Sequence, residues 1–469
     1  MSITEANTDT ERKTISPYDE WATKFLMKVL KLTIKKFRST DKSITEPAAS
    51  SSTLEVWNGR YSAVRNLLGL LQMSLEETES KWKDRISLLP DSLLCHILSF
   101  LTTMEAVCTS VLSSRWRGLW KWVPSLDLVS SDFPSDKVCV DFINEFLLNF
   151  KTLSEFKLCI IEKDDSDNDA SLYEPCLDKV TKHRIQHIEV VCYKDTEIPL
   201  TLPVCEALVS LKLYSVKLND FESLSLPCLK VMCLEHVIFP HNAVLDTPRL
   251  EHLTLTGCQS ESFMIIKRMS DHVKVDIEVV FEPKDYDFSE RNIIYYLINN
   301  FSAVKDMTLS WYTLGLIYCL QGMNPLPKFR NLTRLRATTW LEYSFELLPF
   351  VLESCPNLRH LTLKLVEGNN LEAVVNSFSK VLSFCLVSSL EYVDIESPIT
   401  EKAREEEVVR YFLGNATSLK KLVLRLNVSD GEKHDLEVLK QRFDSPRRSS
   451  LCQFDVLLVV QTPDKMKEL

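Results

Sequence analysis

The feature that most constrains this chain is a spacing: an apolar residue, two others, an apolar residue, one other, an apolar residue. It occurs at Leu153/Phe156/Leu158, Ile185/Ile188/Val190, Leu208/Leu211/Leu213, Leu229/Met232/Leu234 and Leu250/Leu253/Leu255. It returns at Val304/Met307/Leu309, Leu332/Leu335/Ala337, Leu358/Leu361/Leu363, Leu390/Val393/Ile395 and Leu419/Leu422/Leu424. Successive first positions lie 32, 23, 21, 21, 54, 28, 26, 32 and 29 residues apart. The interval of 54 is two periods of about 27, and the run Val273-Lys-Val-Asp-Ile-Glu-Val within it alternates as a strand does. One such unit cannot bury its own apolar side chains, whereas a stack of units shares a continuous core.

Turn signals precede several of these runs: Leu-Pro-Cys at 226–228, Thr-Pro-Arg at 247–249 and Cys-Pro-Asn at 355–357. A period of about 20 to 30 residues around LxxLxL is the pattern of leucine-rich repeats, in which each unit lays one strand into a curved parallel sheet. The fold class this predicts is α/β, an irregular solenoid with its sheet on one side and helices outside it.

Composition narrows the function. Hydrophobic residues make up 45% of the 469 residues and charged residues 26%, ordinary values for a globular chain. Lys and Arg number 55 against 65 Asp and Glu, a formal charge of −10, so no broad basic footprint for nucleic acid is expected. Glycine is scarce: nine residues between Gly59 and Gly431 leave no GxGxxG, no Walker-type loop and no GxSxG elbow, and no cofactor is predicted. The fourteen cysteines are scattered, and the nearest pair, Cys228 and Cys233, lacks the two-residue gap of zinc and redox motifs. Reduced thiols acting as small buried hydrophobes are expected, in the cytoplasm or nucleus. The sequence shows neither a signal peptide nor a membrane span.

Residues 1–82 differ from the rest. An amphipathic helix is predicted between Trp21 and Arg38, with Phe25, Leu26, Val29, Leu30 and Ile34 opposite Lys24, Lys28, Lys31 and Lys35. A linker rich in Ser and Thr follows near 39–53, then a helical segment from Tyr61 through Leu71.

From Lys83 the sequence reads KDRISLLPDSLLCHILSFLTTMEAVCTSVLSSRWRGLWKWVPSLDL. Pro90 suits the first turn of a helix, and Leu93, Leu94, Ile97, Leu98 and Leu101 then fall at helical spacing. Thr102 or Thr103 can cap a second helix carrying Ala106, Val107 and Val111, and Ser113 or Ser114 a third carrying Trp116, Leu119 and Trp120. Three short helices cannot close a large core, so part of their apolar surface should meet a partner.

This segment resembles an F-box. The stretches LPDSLLCHILSFL, EAVCTSVLSSRW and LWKWVPSLDL are similar to the version in the plant family that joins an F-box to leucine-rich repeats and a C-terminal FBD segment. The tail agrees: EYVDIESPITEKAREEEVVRYFLGNATSLKKLVLRL from Glu391, then SPRRSSLCQFDV from Ser445, resembles the FBD order of strand, helix, strand and closing strand. The implied layout is an N-terminal extension 1–82, an F-box 83–131, repeats 132–390, an FBD segment 391–460 capping them, and a tail 461–469.

What the resemblance implies is the substrate receptor of an SCF-type cullin-RING ubiquitin ligase. It would bind a Skp-type adaptor, and through it a cullin, with an unknown target held by the repeats. Carried over by motif position, the docking candidates are Leu89, Pro90, Leu93, Leu94, Ile97, Leu98, Val107, Leu112, Trp116, Leu119 and Trp120, shared between interface and internal packing. Among them Pro90 and Trp116 are favoured, since a large ring removes much apolar surface at small entropic cost. No catalytic residue is implied; the chain would act by raising the effective concentration of a target.

Other patterns resemble chemical motifs but depart from them at the deciding positions. His183 and His187 have the spacing of a zinc-protease helix, but Arg184 stands where the glutamate belongs and Ile185 and Ile188 mark a strand. Asp164, Asp165, Asp167 and Asp169 resemble the start of a calcium loop, but its glycine and closing glutamate positions hold Ala170 and Cys176. Glu405, Glu406 and Glu407 fit a helix N-terminus better than acid-base chemistry, and Arg447 and Arg448 a solvated turn better than a phosphate grip. The alternatives to the ligase receptor are a repeat-based scaffold with a vestigial F-box and, more remotely, an enzyme with an unrecognised site.

Overall fold

The computed structural model describes residues 89–111, 113–149, 153–162, 170–194, 197–202, 205–219, 221–240, 243–257, 264–267, 269–278, 298–319, 326–341, 344–366, 384–399, 404–428, 436–443 and 445–460. The expected helices between Trp21 and Arg38 and from Tyr61, the linker at 39–53, Leu112, and the acidic run 164–169 lie outside them.

The frame is a thirteen-stranded sheet whose strands are all parallel and whose order in space is their order in the chain. It runs through β1 (Ser125–Val129), β2 (Glu155–Ile161), β3 (His187–Tyr193), β5 (Ser210–Tyr214), β8 (Val231–Glu235), β10 (His252–Thr256) and β12 (Lys274–Glu278). It continues through β13 (Asp306–Leu309), β14 (Arg334–Trp340), β15 (His360–Val366), β16 (Tyr392–Pro398), β17 (Lys421–Val428) and β18 (Gln453–Val460).

The repeated spacing becomes two unbroken apolar rows. Leu126, Phe156, Ile188, Leu211, Met232, Leu253 and Val275 pair in succession, then Met307, Leu335, Leu361, Val393, Leu422 and Phe454. Two residues further along every strand a second row runs from Leu128 to Val456, and all of its members are buried. The first residue of each motif, Leu153 to Leu419, is buried as well. Because side chains alternate across a strand, a slip of one residue would turn these rows to solvent, which fixes the register. The 54-residue interval is filled by β12, whose Val275 and Ile277 continue both rows. The ladder also extends past the repeats visible in the sequence, beginning at β1 and ending at β18.

The chain returns between strands in two ways. Helices serve near the ends: α3 (Asp136–Asn149), α4 (Glu174–Thr181), α5 (Trp311–Cys319), α6 (Ser344–Glu353), α7 (Phe384–Ser388), α8 (Arg404–Asn415) and α9 (Leu436–Phe443). They are numbered after α1 (Asp91–Leu98) and α2 (Thr103–Cys108), which precede β1. In the middle the expected outer helices are replaced by short strands, β4 (Ile198–Leu200) paired with β6 (Val216–Leu218), and β7 (Ser223–Ser225), β9 (Ala243–Asp246) and β11 (Met264–Lys267) in a separate sheet. The cause is arithmetic: Leu208, Leu229 and Leu250 recur every 21 residues, too few for a strand, two turns and a helix.

One buried ion pair ties the outer layer to the sheet. Lys194, just past β3, places its ammonium 2.7 Å from the Asp136 carboxylate at the start of α3, with both side chains almost wholly buried. At the far end Arg442 of α9 reaches the carboxylates of Glu405, 3.3 Å away, and Glu406, joining α9 to α8. Glu405 and Glu406 in the first turn of α8 are thus helix-terminus residues with a cationic partner.

Candidate functional site

The helical segment ahead of the sheet is built by local signals. Pro90 is the N-cap of α1, one position earlier than expected, and its carbonyl accepts from the N–H groups of Leu93 and Leu94 at 3.0 and 3.1 Å. Asp91 then stands in the first turn, where the helix dipole favours a carboxylate. Arg115 donates to Asp91 at 2.6 and 2.8 Å and also to the carbonyl of Leu89, pinning the start of α1 to the chain before Trp116. Thr102 caps α2 in a capping box: its hydroxyl accepts from Glu105 N–H at 3.3 Å, and the Glu105 carboxylate accepts from Thr102 N–H at 2.8 Å. The third helix expected around Trp116 is instead a 3₁₀ segment, Trp116–Trp122, and it is Arg115, not a serine, that precedes it.

Helix α1 has two apolar faces. Leu94 and Leu98, four apart, are buried against the rest of the segment, where Ala106, Val107, Trp116, Leu119 and Trp120 are buried as well. Leu93 and Ile97, also four apart, lie on the outer side with 49% and 44% of their surface exposed. Phe100 continues that face at 77% exposure, its ring edge-on to His96 with centroids 5.1 Å apart. Trp122, at the end of the 3₁₀ segment, is also 77% exposed. Side chains like these usually find cover, and here the chain supplies none among the described residues.

The family model described as F-box domain matches residues 86–128, and the one described as FBD matches residues 384–424. An F-box/FBD/LRR-repeat protein of Arabidopsis thaliana is 50% identical over 450 residues, a match taking in 81% of this chain and 93% of that protein. The chain belongs to the F-box/FBD/LRR-repeat family. An FBD-associated F-box protein of the same plant is 43% identical over 434 residues, covering 80% of this chain and 98% of its own length. A putative FBD-associated F-box protein is 35% identical over 432 residues, covering 78% and 99%.

Within the F-box the structure sorts the candidate docking residues. Pro90, Leu93 and Ile97 are exposed and Leu89 is partly buried. Leu94, Leu98, Val107, Trp116, Leu119 and Trp120 are core; Trp116, favoured for its ring, is 5% exposed and packs internally. Two further exposed apolar side chains of the segment, Phe100 and Trp122, are not among the expected docking residues. Phe100 lies three residues after Ile97 and seven after Leu93, so the helical stripe pointed to it, but it follows the last helical residue. Trp122 carried no spacing that separates it from Trp116 and Trp120.

Within the FBD match β16, α8 and β17 form a strand, a helix and a strand, and α9 then intervenes before the closing β18. Arg447 donates to the carbonyl of Cys452 at 3.0 Å, and Arg448 N–H to the carbonyl of Leu413 at 2.8 Å, so both brace a turn.

Other chemistry finds no support among the described residues. His187 opens β3 while His183 sits in the turn before it, so the two share no helix, and no group of three His, Cys, Asp or Glu could hold a metal. Burial pushes the Cys108 thiol up to about 11 and those of Cys176 and Cys385 up to about 12, the opposite of a nucleophile's environment. No helix among the described residues is long and apolar enough to cross a membrane.

Proposed function

We propose that this chain is the substrate-recognition adaptor of an SCF-type cullin-RING ubiquitin ligase, working in the cytoplasm or nucleus. The F-box, over about residues 83–131, docks on a Skp-type adaptor; the strands of 132–390 form a leucine-rich-repeat solenoid that holds the target; the FBD segment 391–460 closes it. The reading is carried by the uncovered face of Leu93 and Ile97, continued by Phe100 just past the helix, while the opposite face of that helix is already packed.

Magnitudes bear on the docking. Burying what remains exposed of those three side chains is worth roughly 3 to 5 kcal/mol before the cost of association. A micromolar complex needs about 8 kcal/mol, so the interface extends beyond this face, and Pro90 and Trp122 are the exposed residues best suited to join it. The chain supplies geometry rather than chemistry: a rigid ladder with the docking segment at one end fixes the distance between adaptor and target, and proximity drives the transfer.

The test is capture of a Skp-type adaptor and a cullin by the full-length chain, followed by turnover of associated proteins in cells. Capture of both, and accumulation of a captured target when the ligase is inhibited, supports the proposal. Target binding that persists without adaptor capture would establish the scaffold reading instead.

A further inference from the structure

Many charges on the outward face of the sheet are matched across or along its strands. Glu155 pairs with Lys157 at 2.8 Å, Glu189 with Lys212 at 3.6 Å and Glu251 with Lys230 at 2.8 Å. Asp306 pairs with Arg336 at 2.6 Å, and both Asp394 with Arg425 and Asp455 with Lys421 at 2.9 Å. Among the described residues Glu396 on β16 has only the Asn427 amide, at 3.3 Å, and Lys274 on β12 has no carboxylate within ion-pair distance, but three unmatched carboxylates stand together. Glu235 on β8, and Asp276 and Glu278 on β12, have no lysine or arginine within ion-pair distance among the described residues.

The register puts them in one place. Tyr214 pairs with Glu235, Glu235 with Thr256 and Thr256 with Glu278, so the four residues stand side by side on successive strands. Strands lie about 4.8 Å apart, which sets the two glutamates about 10 Å from each other with the short Thr256 between them. Asp276 lies two residues back on the same face of β12. An aromatic wall closes one side: the Tyr193 ring lies 5.2 Å from that of Tyr214, which meets the His236 ring at 5.6 Å. The backbone here is held in an unusual form. Ser215, His236 and Gly257, each just past its strand, all have φ between 50° and 56° and donate N–H bonds of 2.7 to 2.9 Å to the next strand. Partial burial and the nearby Glu278 raise the Glu235 carboxyl above its ordinary range, with His236 opposing.

A sheet face with carboxylates on both sides of a short threonine and a tyrosine at its edge suits one side chain above others. Guanidinium is planar, stacks on an aromatic face and forks to carboxylates, and it sheds water more readily than an ammonium. We infer that Tyr214, Glu235, Thr256, Glu278 and Asp276 form a docking site for an arginine-bearing segment of the target protein. The inference rests on the proposal that this face of the ladder holds the target, and it names the chemistry of that contact.

The probe is a short labelled peptide with paired arginines, titrated into the full-length chain and followed by fluorescence anisotropy. Glu235→Gln with Glu278→Gln is expected to weaken binding about tenfold or more, and Tyr214→Leu to weaken it as well. The same peptide with citrulline for arginine, equal in shape and uncharged, should not bind. Glu206→Gln with Glu437→Gln, an equal change in net charge at exposed positions elsewhere, should leave binding unchanged. An equal loss in both double variants, retained binding of the citrulline peptide, or no binding of the arginine peptide would overturn the inference. Adaptor capture by the Glu235/Glu278 variant separates the two claims, since that capture tests the ligase reading alone.

Discussion

Leu93 and Leu94 are adjacent in sequence and opposite in exposure, and the consequence can be measured. Leu94→Ala or Leu98→Ala opens a cavity in the F-box core and should cost about 2 to 5 kcal/mol of local stability, read as a lowered unfolding midpoint. Leu93→Ala with Ile97→Ala should leave that midpoint nearly unchanged while adaptor affinity falls at least tenfold. The helical spacing made both pairs visible as apolar and could not say which one faces out, because adjacent apolar pairs at the same spacing give no sign of which is covered. The Lys194–Asp136 pair was wholly hidden, since 58 residues separate the partners and neither carries a local signal. Lys194→Met strands a buried carboxylate and should cost about 3 to 5 kcal/mol in urea unfolding. Adding Asp136→Leu should restore much of it, and failure of the double variant to recover would show that the pair is not the source.

At the scale of elements, the strands were legible and their connections were not. LxxLxL specifies a strand with two inward residues wherever it occurs, and every such run became one; β1 and β18 obey the same spacing through Val123/Leu126/Leu128 and Leu451/Phe454/Val456, the first inside the segment read as an F-box and the second in the closing strand expected of the FBD. The spacing of 21 held the information that the middle connections are extended, but the general pattern of outer helices masked it. The left-handed residues after β5, β8 and β10 give a test with opposite signs. Gly257→Ala puts a methyl at a φ of 56° and against the His236 ring, and should lower stability by about 1 kcal/mol or more. Ser215→Gly relieves the same conformation and should be neutral or stabilising by up to about 1 kcal/mol. Destabilisation by Ser215→Gly as large as that by Gly257→Ala, in matched thermal melts, would contradict this account of the bends.

The whole molecule is a one-dimensional stack, in which each strand of the main sheet pairs only with its neighbours in the chain, and its surface is laced by ion pairs between adjacent strands. Hydrogen bonds from Lys230, Lys305, Lys420 and Lys421 hold Glu251, Asp271, Glu391 and Asp455 below the usual carboxylate range. A depressed folded-state value means stability that is present above the unfolded values, about 3.9 for Asp and 4.3 for Glu, and lost as pH falls through the folded ones. The unfolding midpoint should therefore be flat from neutral pH to about 5 and decline below about 4, with salt reducing the decline because the pairs are exposed. On the proposal made above, the outer face of α1 is where this chain joins a ligase. Titration calorimetry of the full-length chain against a Skp-type adaptor tests it most directly. Saturable binding that is lost with Leu93→Ala and Ile97→Ala and kept with Glu235→Gln and Glu278→Gln is the predicted result, whereas no heat of binding with the unaltered chain, or equal affinity for the Leu93/Ile97 variant, would contradict it.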